Sequence, residues 1–368
     1  RKRQFEQSLA SFANCQISLA ILIPLSVVFI RLPRLVLGIH IGEIIGIPTM
    51  FSWALFSLTP ICFVLGFMFV LGCELYQAKS PEKKITTTYL LESIGAGLGG
   101  FVTSLVLVRF LNNLEIAFLI GLLNFVFLGL ISGYKMHYQG VYRVLSIIGV
   151  IIFVLMLSLG GVKQLDRYSL KLKWKEISII DSKDSIYGNV SIADLSGQYT
   201  FFMNGVHVSS APDKLTAEEI VHFPMLIHPD PKNVLLIGGG VGDIPAEILK
   251  YSQTRITYVE LDPLVIDFAN RYIKDKDWYR LDNERVTVKY ADARYFVKNT
   301  EERFDVVMIN MPNPYTAQLN RFYTVEFYKE LYKILREDAI VAFGVLSSEN
   351  YISYELGEFL KSIYSTVT

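Results

Sequence analysis

Five long apolar stretches in the first 162 residues limit what this chain can fold into more than any other feature does. They cover residues 12–30, 51–72, 86–108, 114–131 and 141–162. An α-helix needs about 20 apolar residues to cross a hydrocarbon core of about 30 Å, and each stretch is close to that length. The sequence therefore predicts about five transmembrane helices over residues 1–162, with the lipid bilayer as their partner.

The charged residues divide the 368-residue chain at the same point. Residues 1–162 carry 11 Lys and Arg and six Asp and Glu, whereas residues 163–368 carry 24 and 29. The second part is therefore expected to be soluble. Over the whole chain 35 basic residues balance 35 acidic ones, which excludes a strongly basic nucleic-acid-binding protein. The soluble part has no Cys and its three His lack a metal-binding spacing, so no metal site is expected.

The soluble part begins with a segment of short strands. Strands are expected at 177–180, 186–192 and 199–203, and Asn204-Gly205 is a typical hairpin turn. These features predict a juxtamembrane linker followed by a small antiparallel β domain, together spanning residues 163–229.

From residue 230 onward, apolar strands alternate with helical segments. Strands are expected at 233–237, 255–259, 286–290, 304–309 and 339–343, and helices at 245–251, 263–272, 324–335 and 351–364. Such alternation predicts a Rossmann-like, doubly wound parallel sheet of the adenosylmethionine-methyltransferase type over residues 230–368. Sheets of that type have further strands, and residues 365–368 are expected to begin one. We therefore expect either a truncated chain or an incomplete sheet at the C-terminus. Because the chain lacks an initiating Met, we also expect sequence before residue 1.

Ligands bind where parallel strands end, and the expected strand ends here carry glycines and polar residues. These are Gly238, Gly239, Gly240 and Gly242 after the first strand, then Glu260, Asp292 and Asn310. Glu260 could bind the two hydroxyls of a ribose, and Asp292 the amino group of a base. Asp243 occupies the place of the third glycine in a dinucleotide-binding motif, where a carboxylate would repel pyrophosphate. The pattern thus favours an adenosine sulfonium over NAD, although a ligand-free turn and solvated acids stay open.

Several motifs resemble the spermidine synthase family of aminopropyltransferases. They are VLLIGGGVGD at 234–243, VELD at 259–262, ADA at 291–293 and NRFYTVEF at 320–327. YLLESIG at 89–95 is similar to the bacterial members that are fused to membrane helices. The resemblance implies that decarboxylated S-adenosylmethionine or S-adenosylmethionine binds at the four glycines, Asp243, Glu260, Asp292 and Ala293, without a metal. It also implies an amine acceptor and a bacterial inner-membrane protein, and a homo-oligomer stays open. The basic residues do not decide the membrane orientation, but a nucleoside co-substrate would place the soluble domain in the cytoplasm.

The acceptor side of the family pattern is altered in this chain. The family has Asp-x-x-Asp-Pro after the fourth strand, and the resemblance assigns its proton-accepting position to Asn310 and its second acid to Asn313. The resemblance also implies that Tyr323 lies on the acceptor side. An amide can bind an amine by a hydrogen bond, but it is neither a base nor a negative charge at neutral pH.

Three functions are consistent with these observations. The first is a membrane-anchored aminopropyltransferase-like protein. The second is a non-catalytic nucleoside sensor or scaffold, whose membrane helices carry out transport or assembly. The third is a methyltransferase that acts on another acceptor.

Overall fold

The computed structural model describes residues 2–39, 45–79, 85–134, 138–174, 177–314, 316–345, 347 and 352–367. The chain divides into two compact units, Arg1–Ser178 with Lys183–Ile186 and Ile179–Ser182 with Tyr187–Thr368. The first unit is helical, and the second contains a small antiparallel sheet and a larger parallel one. The predicted fold class is confirmed.

Helices make up the described part of the first unit as far as Lys173, whereas its residues Lys183 and Asp184 belong to a strand of the small sheet. The helices are α1 (Lys2–Ile30), α2 (Pro33–Leu37), α3 (Ile47–Lys79), α4 (Ile85–Val102), a π-helical segment (Thr103–Leu107), α5 (Val108–Phe110), α6 (Asn113–Ile131), α7 (Gln139–Ser158) and α8 (Gly161–Lys173). Five helical stretches are long and apolar enough to cross a membrane: α1, α3, α4 continued through α5, α6 and α7. Each of the five apolar stretches of the sequence therefore contains one of these long helices.

The fifth apolar stretch, 141–162, was expected to form one helix, but it is divided between two. α7 ends at Ser158, and α8 begins at Gly161 and continues through the boundary expected at residue 162. Between them Gly160 has a φ of 75°, a left-handed conformation that glycine adopts without steric strain. The hydropathy of the stretch did not reveal this break because the residues around Gly160 are also apolar.

Close packing in the first unit depends on a glycine of α6. α1 packs against α3 and α6, and α6 packs against α7. A β-carbon at Gly121 would lie 2.5 Å from the Phe153 ring and 2.8 Å from the backbone oxygen of Ala20. α4 is different, because none of its described residues is buried and a β-carbon at Gly97 would meet no atom within 4 Å.

We expect Gly121→Val to destabilise the first unit by about 1–3 kcal/mol, the usual effect of overpacking. Gly97→Val is the matched control, since both changes place a β-branched residue in a helix. The measurement is the thermal unfolding midpoint of the full chain in detergent. Equal midpoints for the two variants would contradict the assignment of Gly121 to a tight helix contact.

The second unit begins with a four-stranded sheet. Its strands, in spatial order, are β1 (Ile179–Asp184), β2 (Asn189–Leu195), β3 (Gln198–Met203) and β4 (Val206–Ala211). β2, β3 and β4 pair antiparallel. Asn204 and Gly205 both have positive φ, as the predicted hairpin requires. β4 is the strand that the predicted hairpin implies after its turn, but its bounds were not predicted, and the following helix α9 (Lys214–Ile227) was not predicted at all.

The five-stranded parallel sheet has the spatial order β7-β6-β5-β8-β9. Its strands are β5 (Asn233–Ile237), β6 (Arg255–Glu260), β7 (Val286–Tyr290), β8 (Phe304–Ile309) and β9 (Leu335–Phe343). The helices are α10 (Ile244–Ile248), α11 (Pro263–Tyr272), α12 (Ala293–Asn299), α13 (Ala317–Asn320), α14 (Val325–Tyr332) and α15 (Tyr354–Val367). Leu236 and Leu235 belong to separate core clusters, so the sheet is buried on both faces. Strand order reverses between β5 and β8, where ligands bind in such sheets.

Several expected bounds in the second unit need correction. The helix expected at 324–335 ends at Tyr332, and the strand expected at 339–343 begins at Leu335. α15 continues to Val367, so residues 365–367 are helical and do not begin a strand. α10 ends at Ile248, three residues before the expected end of that helix.

Candidate functional site

The glycine turn after β5 packs directly against Asn310, the residue that follows β8. Ile237 pairs with Ile309, and the backbone N–H of Asn310 donates a hydrogen bond to the Ile237 carbonyl at 2.9 Å. Gly238 and Gly239 have φ values of 73° and 64°. A β-carbon at Gly238 would lie 2.9 Å from the Asn310 carbonyl oxygen, and one at Gly239 would overlap the Asn310 side-chain amide. Both glycines are therefore required by their conformation and by this close approach.

Glu260, at the end of β6, is held by a buried tyrosine of the same strand. The Tyr258 hydroxyl donates to Glu260 Oε2 at 2.6 Å, and the backbone N–H of Asp262 donates to Oε1 at 3.2 Å. The Tyr258 ring also lies where a β-carbon at Gly240 would meet it, at 2.7 Å. Glu260 is only 8% exposed, and burial raises the pKa of its carboxyl. Glu260 is thus a buried, oriented carboxylate and not a solvated acid at a strand end.

A first cavity of about 190 Å³ lies at the ends of β5, β6 and β8. Five of the residues predicted from sequence line it, namely Gly238, Gly239, Glu260, Ala293 and Asn310. Apolar side chains such as Val259, Leu261 and Phe322 form much of the remaining wall. An apolar wall with a few polar groups at its edge suits a ligand with a flat ring and a polar arm.

A second cavity of about 250 Å³ adjoins the first. It contains Gly242 and Asp243 of the predicted residues, together with residues of β4 and α9. The two cavities share a wall that consists of Val208, Gly239, Asn310, Met311 and Pro312. Asp243 therefore lies on the second cavity, although the sequence placed it among the nucleoside-binding residues.

Asp292 is already engaged by two partners. Its Oδ1 accepts a hydrogen bond from the Tyr295 backbone N–H at 3.0 Å, which caps α12, and its Oδ2 forms an ion pair with Arg321. Arg321 lines the first cavity, whereas Asp292 is absent from the described lining of both. The sequence did not point to Arg321, because nothing local connects it with an acid 29 residues earlier.

Three other predicted residues are also outside the described lining of both cavities: Gly240, Asn313 and Tyr323. Tyr323 is 5% exposed, and its hydroxyl donates to the Pro312 carbonyl at 3.2 Å. It therefore supports the backbone of the shared wall from behind.

Comparison with known proteins identifies the family. Residues 213–361 match the model of the spermine/spermidine synthase domain. The polyamine aminopropyltransferase of Oceanobacillus iheyensis is 30% identical over 250 residues, which cover 67% of this chain and 49% of that protein. The chain belongs to the spermidine synthase family. The resemblance seen in the sequence motifs is confirmed.

Two further members of the spermidine synthase family match about half of the chain. The polyamine aminopropyltransferase of Streptococcus pneumoniae is 33% identical over 188 residues, 51% of this chain and 60% of that protein. The crystal structure of spermidine synthase from Thermotoga maritima aligns at 30% identity with a TM-score of 0.44, over 51% of this chain and 62% of that one. The chain thus spans about half to three fifths of the length of these family members.

For the nucleoside site proposed below, we expect Tyr258→Phe to weaken binding of an adenine nucleoside about tenfold or more. The change removes the hydrogen bond that orients the Glu260 carboxylate, and such bonds to charged groups contribute about 1.5–3 kcal/mol. Tyr279→Phe is the matched control, because it removes another buried tyrosine hydroxyl whose partner is Asn270, at 2.7 Å. Isothermal titration with methylthioadenosine measures the effect, and equal losses in the two variants would contradict it.

Proposed function

We propose that this protein is a membrane-anchored aminopropyltransferase. In this proposal decarboxylated S-adenosylmethionine binds in the first cavity and an amine acceptor binds in the second. The observation that carries the proposal is the wall shared by the two adjacent cavities. Single residues such as Gly239 and Asn310 line both of them. The name polyamine aminopropyltransferase, given to several relatives, supports it.

The residues of the first cavity fit the nucleoside. Glu260 would accept hydrogen bonds from the ribose hydroxyls, since each of its oxygens keeps a second lone pair after the bonds from Tyr258 and Asp262. The apolar wall would contact the adenine ring. The glycine turn lines the first cavity and would contact the sulfonium arm there.

The transfer itself is a nucleophilic displacement. The acceptor nitrogen forms a bond to the carbon next to the sulfonium, and the carbon–sulfur bond breaks with its electron pair going to sulfur, which releases methylthioadenosine. The proton on the attacking nitrogen must then leave. The Asn310 amide oxygen can hold that N–H by a hydrogen bond, but it cannot take the proton. Asn310 would therefore orient the acceptor, and the proton would go to water.

We further propose a bacterial inner-membrane location with the second unit in the cytoplasm. The five apolar helices are long enough to anchor the protein in a bilayer. The proposed nucleoside co-substrate belongs to cytoplasmic metabolism, so the cavities would have to face that side. This placement makes the bilayer the partner of the first unit.

The amide at Asn310 favours one alternative, a protein that binds the nucleoside without turnover. Incubation of the full chain, in detergent, with decarboxylated S-adenosylmethionine and small amines separates the possibilities. Methylthioadenosine formation supports the proposal, and nucleoside binding without any product supports the non-catalytic alternative. Release of S-adenosylhomocysteine from S-adenosylmethionine would instead indicate a methyltransferase.

Within this proposal we expect Glu260→Gln to lower nucleoside affinity at least tenfold, because the ribose loses a charged acceptor. Glu302→Gln is the control, since Glu302 is an exposed acid of the same unit that bonds Thr257. Isothermal titration with methylthioadenosine again provides the measurement. Unchanged affinity in Glu260→Gln would remove Glu260 from the site.

A further inference from the structure

The second cavity carries its negative charge in one place. Asp213 and Asp243 are the acidic residues in its described lining, and no Lys or Arg occurs there. The two acids are adjacent, because the Asp213 backbone N–H donates to Asp243 Oδ2 at 2.6 Å. The wall shared with the first cavity is neutral, since Asn310 is its most polar side chain.

Asp243 is a buried carboxylate that lacks a basic partner among the described residues. It is 6% exposed, and burial and the nearby charge of Asp213 raise the pKa of its carboxyl. A cation in contact with it would offset the unfavourable burial of its charge. The side of the cavity formed by Asp213 and Asp243 thus suits an ammonium group.

Ser209 also lines this cavity, and its buried Oγ atom has no hydrogen-bond partner in the described part of the chain.

The neutral wall sets a different requirement at the other side of the cavity. A second ammonium group beside Asn310 would lose its hydration without gaining a counter-charge, because the amide carries none. An uncharged nitrogen or hydroxyl there would keep a hydrogen bond to the amide. An uncharged amine could also attack without a base at Asn310, and the proton of the resulting C–N product would leave to water.

We propose that the second cavity binds an acceptor with one ammonium group, seated at Asp213 and Asp243, and an uncharged end at Asn310, in preference to a diammonium ion. This inference rests on the proposed function, because it treats the second cavity as the acceptor site. It defines the acceptor class as a monocationic amine whose reacting nitrogen is neutral near pH 7.

Two compounds of matched length test the inference by isothermal titration of the full chain in detergent. 4-Amino-1-butanol carries one ammonium and a neutral end, and 1,4-diaminobutane carries two ammonium groups. We expect the amino alcohol to bind at least tenfold more tightly to the unmodified chain. Equal or tighter binding of the diamine would overturn the inference.

Variants locate the two ends of the ligand. Asp243→Asn should weaken binding of the amino alcohol at least tenfold, whereas Glu302→Gln should not change it. Asn310→Asp should shift the preference toward the diamine, because it restores a negative charge at the neutral wall. The thermal unfolding midpoint shows whether the Asp243→Asn variant is folded. If it is not, the amine preference of the Asn310→Asp variant tests the inference instead. An unchanged preference in Asn310→Asp would count against the inference.

The titrations are made with and without methylthioadenosine, which separates this inference from the proposed function. If methylthioadenosine does not bind, the nucleoside assignment of the first cavity fails. The order of the two amines still decides the charge of the ligand in the second cavity. If methylthioadenosine binds and the diamine is preferred, the acceptor class is wrong while the nucleoside assignment stands.

Discussion

Hydrogen bonding between β5 and β8 brings Gly239 against the Asn310 side chain, with no room for a β-carbon between them. Both cavities depend on this contact, since Gly239 and Asn310 line each of them. A larger residue at Gly239 would push the turn after β5 into one cavity or the other. A change at Asn310 affects both cavities at once, because its side chain belongs to their common wall.

The buried Tyr258 ring links the glycine turn to the carboxylate of the first cavity. Its face lies under Gly240, and its hydroxyl holds Glu260. The turn and the carboxylate therefore keep a fixed relation even though they end different strands. This support from a buried neighbour lowers the entropic cost of ligand binding, because the Glu260 oxygens are already oriented before a ligand binds.

Sequence patterns predicted the elements that have strong local signals and missed those that depend on distant partners. β7, β8 and α11 have the predicted bounds, since each is an apolar run or amphipathic segment with a clear start and end. The bounds of β4 were not predicted because its His and Ser residues form strand pairs without an apolar pattern, and the second cavity was missed with them. The Arg321 pair with Asp292 depends on loop conformations that spacing does not encode. The role of Tyr258 had one local signal, a hydroxyl-bearing aromatic in a strand otherwise expected to be buried.

The distribution of carboxylates also bears on the reaction. Glu260 ends β6, two strands from β8, which is about 10 Å at ordinary strand spacing. Asp243 lies at the start of α10, beyond the glycine turn. The shared wall at Asn310 is neutral, so negative charge is kept away from the position where the sulfonium and the attacking nitrogen would meet. A neutral amine that attacks a sulfonium spreads one positive charge over two atoms in the transition state. A carboxylate beside the sulfonium would stabilise the concentrated charge of the ground state more than the dispersed charge of the transition state, and would therefore raise the barrier. An amide stabilises the ground-state charge less. A neutral wall at Asn310 is therefore better suited to attack by a neutral nucleophile.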